Sequence, residues 1–318
     1  MRFVLGLALV LAACSRELSP VVLVDPASAA RIVEGFARVE GARELAAGTW
    51  SFRFPSGAPR ATGAYDGGPA IASVRGALVH GEPPYEGRTG RWTSWSEAGV
   101  LLAESEWFDG RLHGTWRRYD ERGTLRELSA YWGGKRMGTH RVWHADGKLH
   151  REGAYRFDRK RGEHREWDEA GTLRARAQYE DGALHGDHET WDASGVRRER
   201  ARYRNGVLHG GRELWDDRGR IVSRAEYANG RQHGTCELYH ESGSVRSRSE
   251  WVEGELQGRS EGFDADGRLE WTGAYLGGEL HGERLDWHPN GQLRSRSTWV
   301  HGVEHGRREE FDDQGRPR

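Results

Sequence analysis

Residues 203–227 read YRNGVLHGGRELWDDRGRIVSRAEY, and the pattern starts again at Tyr227 with Asn229-Gly230 and His233-Gly234. Asn205-Gly206 is a tight-hairpin dipeptide, because both residues tolerate positive φ. Asp216-Asp217-Arg218-Gly219 puts Asp first and Gly last, which suits a second turn. No helix-length segment separates the two turns. The unit therefore reads as two short strands, and consecutive strands pair antiparallel into a meander.

Outward from this unit the spacing is 24 residues without gaps, and it places Gly90, Gly114, Gly138, Gly162, Gly186, Gly210, Gly234, Gly258, Gly282 and Gly306 in register. An aromatic stands five residues after each of them, among them Trp143, Trp167, Trp191 and Trp215. A second series, seventeen after the glycine, includes Tyr155, Tyr179, Tyr203 and Tyr227. Two residues before each of these is a small residue, such as Gly153, Ala177, Ala201 or Ala225. Strict two-residue alternation puts both ring series on one face, with room for rings to lie flat over the small positions. The opposite face then carries Arg176, Arg200, Arg224 and Arg248, with Arg174, Arg198 and Arg246 beside them and Glu166, Glu189, Glu213 and Glu237 on the adjoining strand. Cross-strand ion pairing accounts for that face without a ligand.

The fold class is thus all-β: an elongated, single-layer antiparallel meander of tandem 24-residue, two-stranded repeats. Ten copies occupy 90–318, and a decayed copy with Gly48, Gly57, Tyr65 and Gly68 occupies 48–89, with an irregular loop expected near Pro83 and Pro84. In 14–47, Ser15 to Pro20 read as a short tether after Cys14, and two readings stand for the less repetitive stretch that follows. Asp25-Pro26 is a helix-start pair and Ile32, Phe36 and Val39 share a helical face, which predicts a short helix; the alternative is a degenerate early repeat.

Composition agrees with a ring-built sheet. Of 318 residues 36% are hydrophobic and 31% charged, while 45 Gly, 14 Trp, 10 Tyr and 8 Phe supply turns and rings. Mean hydropathy is −0.86. A net charge of −1 removes the basic signature of a nucleic-acid-coating protein, so that partner is disfavoured.

Residues 1–13 read as a lipoprotein signal peptide. Arg2 precedes an apolar run from Phe3 to Ala13, which is too short to span a bilayer. Leu11-Ala12-Ala13-Cys14 resembles the bacterial lipobox, which implies lipidation of Cys14, anchoring at the cell envelope, and the outer membrane as destination where the cell has one. Cys236, the second of two cysteines, then has no partner for a disulfide.

The spelling Tyr203-x-x-Gly206-x-x-His209-Gly210 followed by Trp215-x-x-x-Gly219 resembles the MORN repeat, and more closely the MORN-variant repeats of bacterial proteins labelled antitoxin-like. The resemblance implies a single-layered antiparallel sheet and a binding or scaffolding role, with antitoxin or immunity activity as the alternative that the label carries. An export signal speaks against neutralising a cytoplasmic toxin.

No unique catalytic constellation stands out, since Asp, Glu and His recur copy after copy whereas an active site needs one convergent set. His113, His185, His209, His233, His281 and His305 precede the repeat glycine. Equivalent positions lie two strands apart, about 9.5 Å, too far to share a metal, so no metal or cofactor is expected. The expected function is a non-catalytic, membrane-anchored envelope binding or scaffold protein that shows a protein or glycan its aromatic face: Trp143, Trp167, Trp191, Trp215, Tyr155, Tyr179, Tyr203 and Tyr227. Self-association through the same rings is a further use of the surface. Replacing Cys14 by Ala should leave the protein unprocessed or soluble, and unchanged membrane fractionation would refute the lipid anchor.

Overall fold

The computed structural model describes residues 19–24, 31–40, 43–69, 74 and 83–318; Cys14 and the signal segment lie outside these. The chain forms two compact units, Met1–Arg136 and Met137–Arg318.

The first unit contains β1 (Ser19–Val24), β2 (Arg31–Glu40), β3 (Arg43–Arg53), β4 (Pro59–Tyr65), β5 (Arg88–Trp95), β6 (Leu101–Phe108), β7 (Arg111–Tyr119) and β8 (Leu125–Trp132). Each pairs antiparallel with the next. The helix expected within 14–47 is not formed: β1 and β2 occupy that stretch, with Val33 opposite Phe52 and Phe36 opposite Ala47. The β-branched Ile32, Val33 and Val39 favour extended backbone. Gly35, which weakens a helix, here provides the flat surface on which the Trp50 ring lies. The alternative reading, an early degenerate repeat, fits these strands. The decayed copy keeps the full register, because Gly48 faces Tyr65 just as Gly90 faces Trp107. Pro83, Pro84 and Tyr85 lie outside regular structure, as the prolines led one to expect.

The second unit repeats the hairpin with little change. Its strands are β9 (Lys135–Trp143), β10 (Leu149–Arg156), β11 (Arg159–Trp167), β12 (Leu173–Glu180), β13 (Ala183–Trp191), β14 (Arg197–Arg204), β15 (Val207–Trp215), β16 (Ile221–Ala228), β17 (Arg231–Tyr239), β18 (Val245–Val252), β19 (Glu255–Phe263), β20 (Leu269–Leu276), β21 (Glu279–Trp287) and β22 (Leu293–Val300). Within this unit each of these strands pairs antiparallel with the next, from β9 to β22. The tenth copy is the exception to the regular count: its first strand is reduced to β23 (Val303–Glu304) and β24 (Glu309–Glu310).

Turn chemistry explains the regularity. Asn205 and Gly206 sit at φ 51° and 81°, the left-handed pair that a two-residue hairpin requires. Gly206 N–H donates to Leu184 C=O of the preceding copy at 2.7 Å, and Gly230 N–H donates to Leu208 C=O at 2.8 Å, so successive turns are tied together. At the other end Asp216 Oδ1 accepts from the backbone N–H groups of Arg218 and Arg220, both at 2.9 Å. The repeat glycine itself, Gly210 at φ 107°, lies where β14 and β15 lose register between Ala201 and Tyr203, so it carries a bulge that an L side chain would strain.

A closed core exists in the first unit. Ala46, Trp50, Phe52, Ala61, Tyr65, Val74 and Trp92 are all at most 5% exposed and pack together on one face of the sheet. Val74 packs into this cluster, and the stretch at Gly68-Pro69 extends the pairing beyond β4, with Ala46 N–H donating to Pro69 C=O and Gly68 N–H to Ala46 C=O. The rings meet edge to face, Trp50 with Tyr65 at 6.1 Å and Tyr65 with Trp92 at 5.0 Å. Gly63 leaves space for Trp92, and a β-carbon there would fall inside the indole ring. Gly63→Ala should therefore destabilise this unit by about 1–3 kcal/mol. Urea denaturation of the full chain measures it, and an unchanged midpoint would show that Trp92 can move aside freely.

Candidate functional site

The tyrosine series forms one column in the second unit. Tyr155, Tyr179, Tyr203 and Tyr227 lie directly opposite Gly138, Gly162, Gly186 and Gly210. Beneath the rings Ala177, Ala201 and Ala225 are buried, and Gly153 is closed over by the His164 ring. The residue two after the repeat glycine completes the column. His140 meets Tyr155 edge-on at 5.5 Å; His164 lies between Tyr155 and Tyr179 at 5.2 and 5.0 Å; His188 meets Tyr203 at 6.0 Å. Such edge-to-face contacts are each worth about 0.5–1.5 kcal/mol beyond area burial. Further along, the position is held by Arg212, paired to Glu199 at 2.7 Å, and then by Cys236. Burial pushes the Cys236 thiol up from its ordinary value, so it is a packing residue and not an activated nucleophile.

The tryptophan series does not share this face, contrary to the expectation from strict alternation. Between Glu166 and Trp167 the register slips, so that Glu166 faces Ala175 while Trp167 faces Leu173 and Arg174 is left over. The same slip precedes Trp191 and Trp215. One extra residue per hairpin resets the alternation and sends the ring five after the glycine to the charged side. The contacts agree. Arg197 lies over Trp191 at 5.9 Å and Trp215 at 5.4 Å while its guanidinium pairs with Glu189 at 3.2 Å. Tyr239, at the tryptophan position, donates its hydroxyl to Glu237 at 2.7 Å, and Tyr119 likewise donates to Glu104 at 3.2 Å. Trp143, Trp167, Trp191 and Trp215 are half-buried, each facing the residue that opens the next strand: Leu149, Leu173, Arg197 and Ile221.

The ion-pair ladder occupies the centre of that charged face. Arg176 pairs with Glu189, Arg200 with Asp187 at 3.0 Å, Arg224 with Glu213 at 3.0 Å and Arg248 with Glu237 at 3.0 Å. The Tyr239 hydroxyl and then the Arg248 guanidinium hold the Glu237 carboxyl below its usual range. Glu189 is buried at 3% exposure, whereas the Arg200–Asp187 pair is open on both sides, and a pair that exposed stabilises by about 0–1 kcal/mol. Glu166 is not part of the ladder: it stands opposite Ala175 on the tyrosine side, beside His150 at 3.4 Å and Arg151 at 3.5 Å.

The histidines before the repeat glycine serve the turns. His185 Nδ1 approaches Asn205 Oδ1 at 3.2 Å, Asn229 N–H donates to His209 Nδ1 at 3.5 Å, and the His281 and His301 rings lie 4.9 Å apart. Among the described residues no three His, Cys, Asp or Glu side chains come together as metal ligands. A second histidine role was not foreseen. His144, His240 and His288 replace the turn Asp, and their Nε2 atoms lie 2.9, 2.8 and 3.0 Å from the carbonyls of Trp167, Phe263 and Phe311 in the following copy. The signal was present as three His substitutions at a position that is Asp in six copies and Ser96 in the first, but the target of a long side chain is set by the neighbouring hairpin.

Comparison with known proteins identifies the repeat. The MORN repeat variant matches at residues 112–132, 232–253 and 280–301, each match covering one hairpin. It is not the signature of an enzyme family. No curated protein matches the chain. Among solved structures, the S. aureus TarM mutant in complex with Fondaparinux, alpha-GlcNAc-glycerol and UDP is similar at 13% identity over 30% of this chain and 19% of that one, with a TM-score of 0.23. The Photorhabdus luminescens Tc holotoxin pore shows 10% identity over 90% and 18%, with a TM-score of 0.18. TcdB2-TccC3 shows 12% over 94% and 20%, with a TM-score of 0.15. The chain spans about a fifth of the length of these structures.

The turn carboxylates give the sheet a defined acid response. Backbone N–H donation, from Thr172 to Asp168, from Arg220 to Asp216 and from Arg316 to Asp312, holds all three carboxyls below the ordinary value of 3.8. A depressed folded-state value means stability that is complete above the unfolded value and is lost as pH falls through the folded one. The urea midpoint should therefore hold steady from pH 7 to about 5 and decline below about 4. In the triple variant Asp168→Asn, Asp216→Asn, Asp312→Asn that decline should be shallower and start from a lower midpoint at pH 7; an acid slope identical to native would remove these turns as its source.

Proposed function

We propose that the protein is a non-catalytic, lipid-anchored binding or scaffold protein of the cell envelope, whose second unit presents the tyrosine column to a protein or glycan partner. One observation carries this reading. Early in the first unit the equivalent rings, Trp50, Tyr65 and Trp92, are at most 3% exposed and packed with Val74. From Trp107 and Tyr131 onward, and throughout the second unit at Tyr155, Tyr179, Tyr203 and Tyr227, the column is only half-buried, with no such cover among the described residues.

Half-exposed rings arranged in a row are the kind of surface that marks an interface. Tyrosine adds a hydroxyl at the rim of an apolar body, which suits a face that is wet when free and dry when occupied. Ring-on-ring packing preorganises the column, so binding orders few side chains and loses little conformational entropy. The Trp143, Trp167, Trp191 and Trp215 series is assigned a different job. Its rings pack against the opening residues of neighbouring strands and against Arg197, which makes it mainly a binder of one copy to the next. The lipid on Cys14 would fix the whole array at the membrane.

Crosslinking in native cells followed by mass spectrometry tests the assignment. The native chain is compared with Tyr203→Lys, Tyr227→Lys and with Trp191→Leu, each checked for fold by circular dichroism. A specific partner should be captured by the native chain and by Trp191→Leu and lost from the tyrosine variant. Equal capture by all three would mean that the tyrosine column serves only to hold the sheet together.

A further inference from the structure

One cluster of rings is explained neither by the repeat nor by the tyrosine column. Phe108 and Trp132, at the ends of β6 and β8, are 66% and 60% exposed. His113 of β7 lies between them, 5.8 Å from Phe108 and 4.3 Å from Trp132. All three belong to the first unit and sit beside the two-residue turns Asp109-Gly110 and Gly133-Gly134. The later copies place Arg156, Glu180 and Arg204, then Ala228, Val252, Leu276 and Val300, where Phe108 and Trp132 stand, so folding of the repeat does not require a ring there. Two large rings kept in water at the tips of adjacent hairpins, where charged or smaller aliphatic residues also serve, call for a ligand.

The geometry points to a carbohydrate subsite: we propose that Phe108 and Trp132 stack alternate sugar rings of a β-1,4-linked polysaccharide lying across the strands. The two aromatic rings are two strands apart, about 9.5 Å. A β-1,4-linked chain presents the same sugar face at every second residue, so a pair of platforms at a two-sugar repeat meets equivalent faces. His113 wedged between them keeps the rings from collapsing onto one another.

The polar rim selects a neutral, hydroxyl-rich ligand. Asp109 and Arg111 are exposed at the turn, and neither makes a side-chain hydrogen bond or ion pair within the described chain. They offer an acceptor and a planar donor to sugar hydroxyls. Glu106 adds a second carboxylate on the same hairpin, its Oε2 accepting from Thr115 N–H at 3.1 Å. Asp109 and Glu106 offset Arg111 and the exposed Lys135 that follows Gly133-Gly134, so the rim has no cationic excess to draw a polyanion such as nucleic acid. A protein partner is a poorer match, because stable interfaces bury about 800 Å² per side around a packed centre, whereas here three rings are bordered by glycines 110, 133 and 134.

Calorimetric titration of the full chain with hexamers of β-1,4-linked N-acetylglucosamine and of β-1,4-linked glucose, with the α-1,4-linked glucose hexamer for comparison, tests the site. At least one β-1,4 hexamer should bind, and the α-1,4 hexamer should bind tenfold or more weakly. Trp132→Ala should weaken binding at least tenfold, Phe108→Ala, Trp132→Ala should abolish it, and Trp132→Tyr should keep most of it. Because the rings are exposed, the melting temperature should barely move, and Trp132→Ala alone carries the test if the double variant fails to fold. Absence of binding by both β-1,4 hexamers, or native affinity in Trp132→Ala, overturns the proposal. The site is separate from the tyrosine column, so Tyr203→Lys, Tyr227→Lys should leave this titration unchanged, and either site can fail without the other.

Discussion

A sheet one layer thick has no second layer against which to bury its aromatic residues, so the rings must be buried against the sheet itself. The small residue two positions before each column ring makes that feasible. With Ala177, Ala201 or Ala225 beneath it, a ring or imidazole from the neighbouring strand can lie flat, edge-on to the next. Where the small position is glycine the approach is closest, as with Trp50 over Gly35, Trp92 over Gly63 and His164 over Gly153. A larger side chain at any of these points would separate the column at that copy. Turns and ion pairs align the strands, but the ring column is where apolar surface leaves water.

The two units solve the same problem differently. At the start of the first, the rings Trp50, Tyr65 and Trp92 are buried with Val74, and Tyr65 donates its hydroxyl to Pro84 C=O at 2.9 Å, while burial drives the phenol far above its usual value. Arg88 is drawn into the same region, 7% exposed, with its guanidinium over the rings of Tyr85, Trp92 and Trp107. In the second unit the histidines His140, His164 and His188 take the part of Trp, giving a column that is ordered but half in water. Among the described residues, the same backbone thus carries buried rings at the start of the first unit and half-buried ones further along.

Copies are joined by short polar links as well. The Asn-Gly turns hydrogen-bond from one copy to the next, and histidines at the opposite turn reach the following copy's carbonyl. Stability in such an array is the sum of hairpin and neighbour terms, so departures at a single copy are tolerated locally. That tolerance is why Phe108 and Trp132 can break the pattern without disturbing the strands that carry them.

The repeat period, the two turns of each hairpin, the antiparallel meander and the small position under the rings follow from residue order alone, because turn chemistry and two-residue alternation are local properties. The ladder was legible in part: Arg176, Arg224 and Arg248 meet the expected Glu189, Glu213 and Glu237, whereas Arg200 pairs with Asp187 and Glu166 lies on the tyrosine side. Three things needed the folded chain. The extra residue at Arg174 and its equivalents divides the Trp and Tyr series between two faces, and a bulge has no signature in an alternation that continues on both sides of it. The strands at 19–24 and 31–40 override a helical spacing because Gly35 receives the Trp50 ring, a contact from another strand. Exposure itself, which separates the buried rings at the start of the first unit from the half-buried ones further along and singles out Phe108 and Trp132, depends on what lies above the sheet, and no residue's spelling records its cover.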